Sequence, residues 1–236
     1  MADQRKRPSR RDGSDSVDQP RAPYRLVVCD MDGTLVRNTT ALAHLADWIG
    51  HADAIDDVES KLSRGLIDDR AVAETYAQLY RGVAVADAGE AMLDIACIND
   101  IGAGVQMLRA RNVDSLIATV SWSFAARALA DAWGFSTGCG ADLETDPAGR
   151  VFTGDVSRHF APTDKVAFVA EYCTHAGFTM EQVVAVGDSR SDLPLFEAVG
   201  FSVALNATND ARTAANTAVD DGSFLTALRA VPGLLH

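Results

Sequence analysis

The stretch Leu26-Val27-Val28-Cys29-Asp30-Met31-Asp32-Gly33-Thr34-Leu35-Val36 constrains this chain more than any other. Leu26 to Cys29 form an apolar run bounded by charge and glycine, the pattern of a strand buried on both faces in an α/β protein. Two carboxylates, Asp30 and Asp32, follow directly, and then Gly33 and Thr34. Ligands of open α/β sheets bind outside the carboxyl ends of the strands, so these aspartates stand where chemistry is expected. A strand running into a polar turn would account for an aspartate and a glycine. It would not account for Asp-x-Asp-Gly-Thr-Leu as a unit.

Further apolar runs of strand length occur at Ser115–Val120, Gln182–Val186 and Phe201–Leu205. The first closes on Ser121, and the second on Gly187-Asp188. Residues 143–153 read as a hairpin turning at Asp146-Pro147-Ala148-Gly149. Helices are expected over 102–112, from Ser121 to Gly134, from Pro162 to Gly177, over 192–199 and over 223–231. This alternation predicts a doubly wound parallel sheet. Between the first two strands the pattern changes. Leu42, Leu45, Trp48 and Ile49 mark one amphipathic helix; Val72, Tyr76 and Leu79 a second; Val85, Ala88, Met92 and Ile95 a third. A βαβ crossover needs a single helix. Residues 38–100 are therefore expected to be an inserted all-helical cap on a core of residues 24–37 and 101–236.

Residues 1–23 are rich in Arg, Asp, Ser and Pro without apolar periodicity and are expected to be a disordered tail. Its basic run, Arg5 to Arg11, reads as solvated charge in preference to a localisation or nucleic-acid patch, and no apolar core follows it to make a secretory signal. The tail holds six basic and four acidic side chains, so the remainder holds −14 of a net charge of −12. So acidic a body does not hold nucleic acid through diffuse electrostatics. It also repels a phosphorylated ligand, which calls for a local cation, with a metal ion as the obvious candidate. The longest apolar runs are of strand length, so no membrane span is expected. Cys29, Cys97, Cys139 and Cys173 are scattered without a Cys-x-x-Cys pair, which points to a reducing, cytoplasmic compartment. The oligomeric state leaves no mark in the sequence.

The first stretch resembles motif one of the haloacid dehalogenase (HAD) superfamily, mostly Mg-dependent phosphatases with an aspartate nucleophile. That resemblance requires three later motifs, and all occur in order: a strand-ending Ser121, with Thr119 as the alternative; Lys165 opening a helix; and Gly187-Asp188-Ser189-Arg190-Ser191-Asp192 after a strand. It runs from Tyr24 to the C-terminus. It implies that Asp30 attacks phosphorus to give an aspartyl-phosphate, while Asp32 protonates the leaving group and activates water. It further implies Mg²⁺ held by the Asp30 carboxylate, the Asp32 backbone carbonyl and Asp188. Asp192 would orient Lys165 or a metal-bound water. Lys165 would offset negative charge, and Ser121 would bind phosphoryl oxygens. Gly33 would permit close backbone approach, and the Thr34 hydroxyl would hold Asp32.

The helical cap, the strand-ending serine and the hairpin before Lys165 look most like the phosphoserine-phosphatase branch. That branch has Ser-Gly-Gly-Phe at motif two, where this chain has Ser121-Trp122-Ser123-Phe124. The branch's acidic reader of the substrate amine aligns with Thr39, and its arginine for the carboxylate falls near Tyr76. The resemblance thus implies a small phosphomonoester of sugar, cyclitol or amino-alcohol type rather than phosphoserine, met by Thr39, Trp122 and Ser123. Trp122 could instead pack as the first apolar residue of its helix. Phosphoserine hydrolysis, phosphotransfer or mutase chemistry, and a catalytically silent phosphate-binding module are the alternatives. Asp32 and Asp188 argue against a dehalogenase.

Overall fold

The structure, a computed structural model, describes residues 24–235; the expected tail and its basic run lie outside the described residues. Seven strands form one sheet: β1 (Leu26–Cys29), β2 (Asp114–Trp122), β3 (Thr137–Thr145), β4 (Phe152–Arg158), β5 (Val183–Gly187), β6 (Phe201–Leu205) and β7 (Thr217–Val219). Their order is β4-β3-β2-β1-β5-β6-β7, with every neighbour parallel except β3 and β4. β1 is fully buried at the centre. Leu26 faces Asp114 of β2 and Val183 of β5, and Cys29 faces Ile117 and Val186. This register brings the carboxyl ends of β1, β2 and β5 side by side, so that Asp30, Ser121 and Asp188 converge from distant parts of the sequence.

Between β1 and β2 lie α1 (Ala41–Trp48), α2 (Ala52–Ser63), α3 (Asp69–Leu79) and α4 (Val85–Ala91). The core carries α5 (Ile101–Arg109), α6 (Ser123–Trp133), α7 (Pro162–Ala176), α8 (Leu193–Ala198), α9 (Asn209–Ala214) and α10 (Phe224–Arg229). This is the expected doubly wound α/β architecture. No helix among the described residues is long and apolar enough to cross a membrane.

Several elements differ from expectation. A fourth helix, α2, stands between the first two expected ones; its apolar residues Ile55, Val58 and Leu62 are sparse among acidic side chains, which dilutes the periodic signal. β2 continues through Trp122, so α6 starts at Ser123 and not at Ser121. β3 begins at Thr137, well before the expected hairpin, and contains Gly138 and Gly140, which carry little strand propensity. Gly140 is there for space: a Cβ would overlap the Ser121 carbonyl oxygen. α9 and β7 are short and were not anticipated.

The helical segment joins the core at two places. At its ends, Val36 bridges Cys97, Arg37 N donates to Ala96 O (2.9 Å) and Ile98 N to Leu35 O (2.9 Å). In its middle, residues 82–85 add to the free edge of β4. Gly82 N donates to Phe152 O (2.8 Å), Phe152 N to Val83 O (3.0 Å) and Val85 N to Arg150 O (2.9 Å). Gln78 Nε2 adds a bond to Gly154 O (2.7 Å), and α3 lies along β4. An exposed edge strand is a pairing hazard, and these residues cover it.

Candidate active site

β1 delivers Asp30 to the sheet's carboxyl edge, where its N–H donates to Val186 O (2.9 Å) and only 5% of the residue is exposed. Opposite stands Lys165, the fourth residue of α7, a helix started by Pro162 and by Asp164 accepting the Ala161 N–H (2.7 Å). Lys165 is fully buried, with Nζ 2.7 Å from Asp30 Oδ1 and 2.7 Å from Asp192 Oδ1; Ser191 Oγ accepts a longer bond (3.3 Å). Burial alone would push the ammonium down, but Asp30 and Asp192 outweigh it and hold the lysine above its ordinary range. Burial pushes Asp30 well up and Asp192 adds to this, while Lys165 opposes both. Such a pair is tolerable in the interior only because each partner is hydrogen-bonded.

Asp192 is consumed by the protein. Its Oδ1 takes Lys165, and its Oδ2 accepts the N–H groups of Asp188 (3.0 Å) and Ser189 (3.2 Å). It therefore orients Lys165 and the loop carrying Asp188. Thr34 does not hold Asp32, as sequence suggested. Its buried hydroxyl donates to Asp188 Oδ1 (2.8 Å), because the β1–β5 register places Asp188 beside the motif-one loop. Gly33, at φ 84°, serves the same neighbour, since a Cβ there would overlap the Asp188 carboxylate. Asp188 is raised to about 6, chiefly by burial and against the Thr34 hydroxyl.

Asp32 points the other way, towards the helical segment. Its Oδ1 accepts the N–H of Ala41 (2.8 Å), the first residue of α1, whose N-cap Thr40 accepts from Ala43 N (3.2 Å). Burial raises Asp32 to about 6, against the pull of the Ala41 N–H and the nearby Ser121 hydroxyl. The Ser121 hydroxyl is buried and closes no hydrogen bond of good geometry, whereas Thr119 Oγ1 is taken by Ser121 N (3.1 Å). Of the two motif-two candidates, Ser121 has a hydroxyl with no partner among the described residues, whereas Thr119 Oγ1 accepts from Ser121 N and keeps its donor.

Carboxylate oxygens of Asp30, Asp188 and Asp192 lie within 4.8 Å of one another. With Asp192 spoken for, Asp30 and Asp188 each keep one oxygen without a hydrogen bond, and the Asp32 carbonyl accepts none among the described residues. Two carboxylates and a carbonyl are hard oxygen donors of the kind Mg²⁺ prefers, so the residues fit the ion expected from sequence.

The expected leaving-group residues are placed differently. Trp122 is 1% exposed and meets Tyr80 edge to face (centroids 6.2 Å apart), and Tyr80 stacks on Tyr76 (6.4 Å). Its Nε1 lies near the Tyr80 hydroxyl without closing a bond, while that hydroxyl donates to Leu42 O (2.8 Å). This arrangement is packing between sheet and helices. Ser123 Oγ donates to Asp142, which also pairs with Arg158 (2.8 Å), so its hydroxyl is engaged on the β3–β4 side. Among the described residues, Thr39 Oγ1 reaches only Thr40 O (3.3 Å). Two contributors were missed from sequence. Ser191 is a bystander to motif four until α7 packs against its loop. Arg37 Nη1 donates to Gly33 O (2.5 Å) and its charge lowers Asp188. The only signal for Arg37 was a cation seven residues after Asp30 in an acidic body.

Fold and residues together define a protein of the doubly wound α/β class with an acidic site at the carboxyl ends of its central strands. A family model described as haloacid dehalogenase-like hydrolase matches residues 27–197, and the chain belongs to that family. Among curated proteins, a phosphoserine phosphatase of Archaeoglobus fulgidus is 27% identical over 86% of this chain, and one of Polaromonas sp. is 26% identical over 85%. The chain spans 59% of the length of the first and 87% of the second. Among solved structures, a phospho-aspartyl intermediate analogue of phosphoserine phosphatase superposes with a TM-score of 0.73 at 18% identity, covering 89% of this chain and 99% of that one. By its description the family is one of hydrolases.

Proposed function

We propose that the chain is a Mg²⁺-dependent phosphatase that hydrolyses a small-molecule phosphomonoester through an aspartyl-phosphate on Asp30. The observation that carries this reading is the buried Lys165, 2.7 Å from Asp30 and from Asp192, with Asp32 and the open Ser121 hydroxyl beside it. Lys165 fixes the rotation of the Asp30 carboxylate and offsets its charge as a phosphoryl group approaches. A carboxylate oxygen of Asp30 bonds to phosphorus as the bond to the leaving oxygen breaks. Asp32, held near 6, supplies the proton that oxygen needs. Water then attacks the phosphorus, Asp32 takes back a proton, and Asp30 is released together with inorganic phosphate. Ser121 donates to a phosphoryl oxygen. Held by Asp30, Asp188 and the Asp32 carbonyl, Mg²⁺ would supply positive charge against the phosphoryl oxygens.

The segment 38–100 acts in this reading as a cap that excludes water and bulky polymers. The curated relatives carry the name phosphoserine phosphatase, but two features support another substrate here. Thr39 offers no charge for an ammonium, and Tyr76 is 1% exposed and uncharged. Each lost charge-assisted hydrogen bond weakens recognition by about 1.5–3 kcal/mol. The acidic body and four unpaired thiols support a cytoplasmic enzyme with neither nucleic-acid nor membrane partners. Turnover of p-nitrophenyl phosphate by the full chain tests the reading: EDTA should abolish it and Mg²⁺ restore it, and full activity after exhaustive chelation would refute it.

A further inference from the structure

We propose that Arg37 reads a second anionic group on the substrate, so that the preferred leaving group is a hydroxy acid, or an equally anionic alcohol, without an amine. This rests on the phosphatase reading above. Arg37 lies where the segment leaving β1 pairs with the segment returning to the core, its N–H fixed on Ala96 O (2.9 Å). The guanidinium is thereby held at the rim between the active-site loop and the helices. One of its donors, Nη1, caps the Gly33 carbonyl (2.5 Å). Among the described residues, Nε and Nη2 make no hydrogen bond, and no carboxylate comes within ion-pair distance of Arg37.

The body around it is strongly acidic, at −14 outside the first 23 residues. Arg212, the other part-buried arginine among the described residues, grips Asp220 with both Nη atoms, whereas Arg37 holds no carboxylate. Arg37 is half-buried, and a guanidinium partly withdrawn from water is well suited to pairing with an anion. Asp188 is near enough to feel its charge but is turned to Thr34. Two residues on, Thr39 is neutral, with a long contact to Thr40 O. Among the described residues, the rim thus presents a cation with two donors open and no carboxylate paired to it. It complements a carboxylate or a second phosphoryl group, which a guanidinium fork binds through paired hydrogen bonds, and it offers nothing to an ammonium.

Steady-state kinetics of the full chain with Mg²⁺ on five probes tests this: 2-phosphoglycolate (carboxylate), a sugar bisphosphate (second phosphoryl), phosphoserine (carboxylate and amine), phosphoethanolamine (amine only) and p-nitrophenyl phosphate (neutral). The unsubstituted chain should favour 2-phosphoglycolate or the bisphosphate over phosphoethanolamine by at least about tenfold in kcat/KM. Arg37→Gln should lower kcat/KM for the anionic probes about 10- to 100-fold more than for p-nitrophenyl phosphate, mostly through KM. Arg37→Lys should recover part of that difference, since it keeps the charge and loses the fork. An equal loss on every probe in both variants would reduce Arg37 to a support of the Gly33 loop and overturn the proposal. A wild-type preference for phosphoethanolamine would do the same. Failure of the phosphatase reading itself shows separately, as absence of Mg²⁺-dependent p-nitrophenyl phosphate turnover by the unsubstituted chain, and would take this proposal with it.

Discussion

Without Lys165, Asp30 and Asp192 would face each other in the interior with no cation between them. Lys165→Met keeps most of the volume and removes the charge. Breaking a buried pair in this way costs about 3–5 kcal/mol, so chemical denaturation should show a loss of that order, together with loss of turnover. An unchanged denaturation midpoint would mean that the pair contributes nothing. Asp32→Asn should lower the rate about 10²- to 10⁴-fold, the usual worth of general acid–base catalysis, while a change below about threefold in kcat would remove Asp32 from proton transfer. Asp30, Asp32, Lys165 and Asp188 were legible in the sequence because each ends a strand or opens a helix, positions fixed by local pattern. Thr34 was assigned the wrong partner because its bond to Asp188 spans 154 residues and depends on β1–β5 register. Arg37 was invisible for a related reason: nothing local distinguishes a guanidinium with an acidic neighbour from one without.

At the level of elements, the attachment of residues 82–85 to β4 has a mechanical consequence. The helical segment cannot swing on its two terminal linkers alone. Either the hairpin β3–β4 moves with it, or the three backbone bonds at Gly82, Val85 and Phe152 break. Hydrogen exchange should therefore find these three amides protected and opening as one cooperative unit. Exchange of Gly82 and Val85 at the rate of an exposed loop, with Phe152 still protected, would contradict that. Sequence pattern revealed the helices with dense apolar spacing and the strands with continuous apolar runs. It missed α2, whose core-facing residues are few, and the first half of β3, where glycines make room for the Ser121 carbonyl and for α6. The edge pairing was missed too, because it uses backbone groups, which any sequence supplies.

For the whole molecule, the acidic site couples stability to pH and to metal. Asp32 and Asp188 both stand near 6, above the ordinary 3.8, because burial disfavours their charged forms. A carboxyl whose folded pKa is raised contributes stability that is fully present below its unfolded pKa and is lost as pH rises through the folded value. Metal-free protein should therefore lose Tm between about pH 4 and 7 through this pair. Mg²⁺ binds ionised carboxylates, so the Tm gain on adding it should be larger at pH 7.5 than at pH 5. Equal gains at the two pH values would show that these carboxyls do not titrate with the metal. The surplus negative charge was plain from composition, but the burial that raises two particular aspartates needed the folded site.

The central claim is that Asp30 becomes phosphorylated, and covalent trapping tests it most directly. The chain would be quenched in acid during turnover of an ester labelled in its phosphoryl group, digested, and the label located by mass. The account predicts label on Asp30 in the unsubstituted chain. It also predicts neither label nor turnover in Asp30→Asn, with Tm within a few degrees of the parent because the two side chains are nearly isosteric. Label on another residue, or turnover surviving in Asp30→Asn, would contradict it.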